Sequence, residues 1–374
     1  MDLSVISTYR CNSRCSMCHI WQHPTLPKEE VRLETLEKIP SGIANLNVTG
    51  GEPTLREDLA DLVDLLHPKA LKLEISSNGL RPERLEPIIR KYPYVKIRFS
   101  LEGFELTSNR IRGEKDGFNT KVRGLLRLQE LGGKDLGFAI TIQDDNVGDL
   151  VGLYEFAEKN CFELATSTLH NGFQFHKADN VPYDRARVAH EIEALITAQL
   201  KTGKVKNWFR AYLNLGLIAK VLGQDRLLPC TAATDFAFVD PWSDVYACNV
   251  RPDLKIGNLE TQGWAEIYNG KTAQEVRRKV SQCTQNCWMV GSARTAMRSP
   301  RFTRLPKFEP LAWVVENKTR VTLGGKVNFD GRVDYAHIHQ DRMFVRRESF
   351  LGRPMRATVE TKGEPHYQDL YLNR

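Results

Sequence analysis

The sequence predicts an α/β fold built on a parallel sheet, followed by a smaller cysteine-bearing domain. Short apolar strands alternate with helices of about ten to fifteen residues through residues 1–170, which implies crossovers of one hand and parallel pairing. Glycines, asparagines and acidic residues collect just past the strand ends, the face on which parallel α/β sheets and barrels place ligands. Three cysteines, Cys11, Cys15 and Cys18, fall within eight residues directly after the first strand.

The elements follow in order. Leu3 to Tyr9 is an extended run, and the cysteine loop follows it. A polar, proline-containing stretch reaches Glu30, and residues 31–39 have helical apolar spacing. Asn45 to Thr49 alternates as a strand and enters Gly50-Gly51-Glu52-Pro53. Two glycines there let the backbone approach a ligand closely. Pro53 stiffens the exit, and Thr54 can cap a helix over residues 59–66. Residues 70–76 form a strand ending at Ser77-Asn78-Gly79, and 85–91 a helix. Residues 95–101 form the fourth strand, ending at Glu102-Gly103, and 120–131 a helix. Residues 136–142 form the fifth strand, before Asp144-Asp145-Asn146, and 150–160 a helix. Residues 161–169 contain the sixth strand, before His170-Asn171-Gly172. A dinucleotide-binding fold fits poorly, because its G-x-G-x-x-G turn would stand where the cysteines are. Residues 181–198 and 208–222 read as packing or linking helices.

Three thiolates can hold three irons of a [4Fe-4S] cubane and leave the fourth iron open. A structural zinc would want a fourth ligand close by, and His19 and His23 keep that option open on spacing alone. A second set comprises Cys230, Cys248, Cys283 and Cys287. A hairpin over 236–239 and 245–248 would bring its first two members together, and one turn supplies the last two. Helices follow from the spacing of 264–268 and 273–280. Four thiolates complete the ligation of a cluster or of a zinc ion. Cys161 stands alone and reads as a core thiol. Short β-like pieces at 320–323, 343–345 and 355–359 predict a small antiparallel appendage.

The chain has 374 residues, 41% of them hydrophobic, enough for two domains or for one with an extension. Its formal charge of +7 is spread without a basic tract, which argues against nucleic acid as a partner. No run of eighteen apolar residues exists and no signal peptide precedes Cys11, so no membrane role and a cytoplasmic location are expected. Eight cysteines in such a chain argue for metal ligation over disulfides.

The C-x3-C-x2-C triad resembles the cluster motif of the radical S-adenosylmethionine (radical SAM) superfamily, with Met17 where that motif usually has an aromatic residue. Gly50-Gly51-Glu52-Pro53 resembles the family's GGEP segment. Residues 230–288 are similar to the auxiliary-cluster module of SPASM and twitch members. They carry a first cysteine, the turn Asp240-Pro241-Trp242-Ser243-Asp244, a second cysteine, Gly257-Asn258-Leu259, and a closing pair beside Trp288. Ser243 stands where that turn often has glycine. Two-cluster versions of the module hold more cysteines than these four, so one auxiliary [4Fe-4S] cluster is implied.

The resemblance implies an α/β, partial (β/α)6 TIM-like barrel with a C-terminal SPASM/twitch-like auxiliary-cluster domain. The barrel would span 1–200, a linking helix 201–229, the auxiliary domain 230–300 and a β-rich tail 301–374. S-adenosylmethionine would chelate the open iron. Gly50, Gly51, Glu52 and Pro53 would line the site of its amino group. Ser76 and Asn78 would be third-strand contacts. Ser100 and Glu102 would be a variant of a Ser-Leu-Asp-Gly element, and Arg112 would position the carboxylate. Reduced flavodoxin or ferredoxin would supply an electron. Cleavage would give methionine and a 5′-deoxyadenosyl radical, which abstracts hydrogen from a C–H bond.

A small polar metabolite such as a sugar or aminocyclitol is the expected substrate, ending in oxidation, epimerisation or rearrangement. The reason is that the first strand starts within ten residues of Met1 and leaves no room for a leader-binding domain. A ribosomally made peptide is the alternative. A non-catalytic iron–sulfur or zinc scaffold is the third reading, distinguished by a failure to form 5′-deoxyadenosine. His170, directly after the sixth strand, is the candidate catalytic base. Asp144, Asp145, His176, Lys177, Arg210 and Tyr212 are further candidates to face the substrate.

Overall fold

Strand β1 (Asp2–Ile6) lies inside a nine-stranded sheet. On one side run β2 (Asn45–Thr49), β3 (Leu73–Ser77), β4 (Lys96–Ser100), β5 (Asp135–Ile142) and β6 (Glu163–Thr168), each parallel to its neighbour. On the other side, β7 (Phe236–Val239) pairs parallel with β1, and β8 (Asp244–Tyr246) and β9 (Lys255–Asn258) continue antiparallel. The order is β6-β5-β4-β3-β2-β1-β7-β8-β9, so the sheet is an unclosed partial barrel edged by β6 and β9. This computed structural model describes residues 1–177, 179–299 and 309–338. Among the described residues no helix is long and apolar enough to cross a membrane.

The parallel strands are apolar because both faces are covered. Leu3, Val5, Val48, Ile75, Ile97, Phe99 and Phe138 are all buried. The helices that cover them are α1 (Leu33–Leu36), α2 (Leu59–Leu66), α3 (Glu86–Lys91), α4 (Glu105–Arg112), α5 (Gly117–Glu130) and α6 (Leu150–Lys159). In α2 the buried side chains are Leu59, Leu62, Val63 and Leu66, one helical stripe. Each such side chain contributes about 1.5–3 kcal/mol on burial.

Two sequence expectations are refined here. The helix expected within 201–229 is present at Val205–Val221, and it packs against the helix before it. Helices α7 (Arg185–Lys201) and α8 (Val205–Val221) form a hairpin with a connection too short for anything but antiparallel neighbours. The hairpin is pinned behind β6: the Thr166 hydroxyl donates to Asn214 Oδ1 at 2.6 Å, and Asn214 Nδ2 donates to Gln199 Oε1 at 2.9 Å. The pieces that follow, β7 to β9, extend the barrel sheet itself through the register Asp2↔Phe236. That pairing joins residues far apart in the chain, so local pattern does not reveal it.

The second change lies beyond residue 300. Residues 320–322 end the helix Glu309–Thr322, which has Pro310 in its first turn and buries Trp313, Val314 and Asn317. The predicted β piece at 320–323 is therefore helix end and turn, because the stripe repeats every three to four residues. The pieces at 343–345 and 355–359 lie outside the described residues.

Candidate functional site

The cysteine loop is fastened from three sides. Along α4, Arg14 N–H donates to Arg112 O at 3.0 Å and Ser16 N–H to Ile111 O at 2.9 Å. Gly113 ends α4 at φ 63, a left-handed cap that turns the chain inward. Glu114, just after it, accepts from the Ser13 hydroxyl at 2.7 Å and from Arg112 Nε at 3.1 Å, and pairs with the buried Lys121. Arg112 Nη1 also donates to Glu102 Oε1 at 2.8 Å. On the second side, Arg10 forms a two-point bond with Glu30 at 2.7 and 2.9 Å, next to Thr8 and Thr25. On the third, His19 N–H donates to Phe175 O, and Asn180 Nδ2 donates to both Met17 O and His170 O.

Cys11, Cys15 and Cys18 border one cavity of about 170 Å³. Gly50, Gly51, Ser100, Glu102, Arg112 and His170 share its wall. Burial raises all three thiols, Cys18 to about 12. A positive group bound to them would remove their protons. Burial by itself lowers the Arg112 pKa, but Cys15, Glu114 and Glu102 outweigh it and raise it further. Arg112 is thus a fixed cation at the cavity.

The two glycines have a reason the sequence did not show. Gly51 N–H donates to Thr8 O at 2.7 Å and Glu52 N–H to Arg10 O at 2.8 Å. A Cβ at Gly50 would stand 2.5 Å from Thr8 O, and one at Gly51 would overlap the Arg10 carbonyl. The close approach is therefore to the backbone that leads into the cysteines. Gly51→Ala is expected to cost about 1–3 kcal/mol, as overpacking does, and to lower the iron retained by the purified protein, measured against wild type.

Glu52, Pro53, Ser76 and Asn78 are not on the cavity wall. The fully buried Glu52 carboxylate accepts from Thr54 N–H, the Thr54 and Ser77 hydroxyls and Asn78 N–H, so it clasps the ends of β2 and β3. Pro53 opens the 3-10 turn after it. The Ser76 hydroxyl donates to Asn47 at 3.1 Å. Asn78 Nδ2 donates to Asn12 Oδ1 at 2.6 Å and so braces the cysteine loop.

His170 is the one sequence candidate for substrate chemistry on the cavity wall. Burial, and then the charge of Lys220, lower its pKa to about 3. That environment disfavours the charged imidazolium and makes His170 a weaker base than an ordinary histidine. Asp144 instead accepts from Tyr183 and Asp184 N–H at the start of α7. Asp145 stands 3.9 Å from Arg110. His176 stacks on His23 with ring centroids 4.0 Å apart. Lys177 pairs with Asp179. Arg210 pairs with Glu163 at the far end of β6, and the Tyr212 hydroxyl donates to Glu309. Sequence reasoning missed Thr141, Trp21, Phe175 and Asn180, of which only Thr141, at a strand end, carried a usable signal. Cys161 is exposed at φ 58, not a core thiol.

The second set of cysteines also converges. Cys230 precedes β7, Cys248 follows β8, and Cys283 and Cys287 follow α10 (Lys271–Ser281), which with α9 (Trp264–Asn269) backs β9. The Cys248 and Cys287 thiols share a hydrogen bond, and the charges of Cys287 and Cys283 act on Cys230. That hydrogen bond, with Arg226 and Lys220, lowers the Cys287 pKa to about 6. The turn residue Ser243 sits at φ 66, in the region that favours glycine. Trp288 packs against Gly216 of α8, where a Cβ would overlap its ring, and so locks the closing pair to the helical hairpin.

The first three cysteines suit a cluster better than zinc: neither His19 nor His23 lines the cavity with them. A structural zinc would want a fourth ligand close by, whereas three thiolates suit a cubane with one open iron.

Residues 5–157 match the model of the radical SAM superfamily, and residues 230–288 match that of an iron-sulfur cluster-binding domain, SPASM. The Fe-coproporphyrin III synthase of Methanosarcina barkeri is 29% identical over 158 residues, 41% of this chain and 39% of that protein. The mycofactocin maturase MftC of Mycolicibacterium smegmatis is 25% identical over 266 residues, 68% of this chain and 66% of its own. The chain thus spans less than two thirds of either relative. The solved structure of anSMEcpe with bound AdoMet and the Cp18Cys peptide superposes with a TM-score of 0.56 at 15% identity, over 77% of this chain and 85% of that one. The domains it carries imply [4Fe-4S] clusters and S-adenosylmethionine as cofactors, and the donor sets above fit them. With the cysteine triad and the unclosed parallel barrel, the two matches identify residues 5–157 as a radical SAM domain and residues 230–288 as a SPASM iron–sulfur domain.

Proposed function

We propose that this chain is a radical SAM enzyme that modifies a ribosomally made peptide. The observation that carries the enzyme reading is the single cavity bordered by Cys11, Cys15 and Cys18 together with Gly50, Gly51, Ser100, Glu102 and Arg112. Cys11, Cys15 and Cys18 would hold a cluster there and leave one iron for S-adenosylmethionine. When bound, that pair supplies the 5′-deoxyadenosyl radical that abstracts hydrogen. The chain's own residues do the rest. Gly50 and Gly51 present backbone to the amino group of the cofactor. Arg112 offers a guanidinium held by Glu102 and Glu114 to its carboxylate. Met17, Trp21, Leu169 and Phe175 keep that part of the wall largely apolar and limit water around a radical. Cys230, Cys248, Cys283 and Cys287 would hold an auxiliary [4Fe-4S] cluster. Reduced flavodoxin or ferredoxin is the electron donor.

The substrate reading moves from the small metabolite expected on sequence to a peptide. A maturase matches over two thirds of this chain, and the anSMEcpe neighbour has a peptide in its structure. The test is deuterium transfer. Anaerobically reconstituted, reduced protein is given S-adenosylmethionine and extract from cells grown on deuterated medium. We expect 5′-deoxyadenosine to form and to carry deuterium, and protease treatment of the extract to abolish the deuterium. Transfer that survives protease would favour the metabolite. No 5′-deoxyadenosine from fully loaded protein would favour the scaffold.

A further inference from the structure

Lys220 is a lysine with too few partners. It sits in the last turn of α8 and is 3% exposed. Its Nζ donates to Thr168 O, at the end of β6, at 3.2 Å. Among the described residues that is its one hydrogen bond, although an ammonium carries three donors. Among the described residues no carboxylate acts on it. Burial lowers its pKa to about 7, and the one charge that opposes this is Cys287. A buried ammonium without an anion is costly, and the anion that acts on it is the Cys287 thiolate, whose neighbour Trp288 packs on Gly216, one turn earlier in α8.

A second cation stands at the same thiols. The Arg226 guanidinium lies over Trp288, 4.9 Å from the ring centroid. Its charge acts on both Cys230 and Cys287. Two of its nitrogens donate to Leu228 O and Ser292 O, while its buried Nη1 has no acceptor among the described residues. Two cations with spare donors, Lys220 acting on Cys287 and Arg226 on Cys230 and Cys287, are an arrangement for a site more negative than the bare side chains. A cubane held by four thiolates is such a site, and each electron it gains adds a negative charge.

Lys220 differs from Arg226 in what it touches on its other side. Thr168 O, which holds it, is two residues from His170 on the cavity wall, and the charge of Lys220 also reaches that imidazole. The ammonium therefore stands between the two cysteine sites.

We infer that Lys220 is a positioning residue, the counter-charge of the four-thiolate cluster, which ties the charge state of that cluster to the β6 end of the active cavity. The inference rests on the reading of Cys230, Cys248, Cys283 and Cys287 as cluster ligands. A fixed positive charge favours the reduced form and raises the midpoint potential of that cluster. The cluster of the first three cysteines has its own fixed cation, Arg112, so its potential is expected to shift less.

The experiment compares anaerobically reconstituted wild-type, Lys220→Met, Lys220→Gln and Lys220→Arg protein, by iron and sulfide analysis and by EPR-monitored redox titration. Wild type is expected to hold about eight irons, four per cubane. About four would overturn the reading of the second cysteine set itself. With eight irons bound, Lys220→Met and Lys220→Gln are expected to lower one of the two midpoint potentials, the auxiliary one, and Lys220→Arg to restore it. Glutamine keeps a donor for Thr168 O but no charge, so an unshifted Lys220→Gln overturns the proposal, as does an unshifted Lys220→Met. Should both neutral variants fail to load the auxiliary cluster while Lys220→Arg loads it, the need for charge is upheld. Failure of all three variants to load would mean a packing role and overturn it.

Discussion

Cys15→Ala is expected to abolish 5′-deoxyadenosine formation and to remove about half of the bound iron, one cubane of two. Cys15 is 8% exposed and central to its set: its charge acts on both Cys11 and Cys18. Two remaining thiolates cannot fix three irons. The auxiliary cysteines stand elsewhere in the chain, before β7, after β8 and after α10, so their cluster is expected to survive. Iron and sulfide analysis, with product detection by mass spectrometry against a minus-protein control, measures both outcomes. Retained iron with lost activity would place Cys15 in chemistry other than cluster ligation.

Arg112→Leu is expected to give the largest loss of stability among single changes at the cavity. Arg112 is 5% exposed and shared by two buried carboxylates, Glu102 at 2.8 Å and Glu114 at 3.1 Å. Removing one partner of a buried ion pair costs about 3–5 kcal/mol, because the other charge is left without compensation. Glu114 also holds Ser13, and among the described residues Lys121 pairs with Glu114 alone. The loss should therefore spread to the cysteine loop. The midpoint of urea unfolding is expected to fall and the iron retained on gel filtration to drop with it. Arg112→Lys, which keeps the charge but not the planar fork, is expected to fall between wild type and Arg112→Leu. An unchanged midpoint for Arg112→Leu would mean that Glu102 and Glu114 are satisfied without it.

Much of this was legible in the residues. The six parallel strands were, because each is a short apolar run closed by polar residues. Both cysteine sets were, because ligand spacing is written in the chain. Chemistry at the strand ends was partly legible: Ser100, Glu102 and Arg112 do face the cavity. Glu52 and Asn78 follow strands in the same way, yet their polar atoms are spent on Thr54, Ser77 and Asn12. A strand-end position says that a side chain is near the site, not which way its hydrogen bonds go. What stayed hidden depends on contacts distant in sequence. The β1–β7 pairing makes one sheet of two cysteine domains. Lys220 looks like any lysine ending an amphipathic helix until the fold buries it against Thr168. Arg210 and Tyr212 looked available for substrate because the partners that take them, Glu163 and Glu309, are 47 and 97 residues away by number.

The central claim is that one iron held by Cys11, Cys15 and Cys18 has a position free for S-adenosylmethionine. Its most direct test is the EPR spectrum of reduced, fully loaded protein before and after that compound is added. The account predicts that one of two cluster signals changes and that Cys15→Ala lacks the responsive one. Two fully loaded clusters that both ignore the added compound would contradict it.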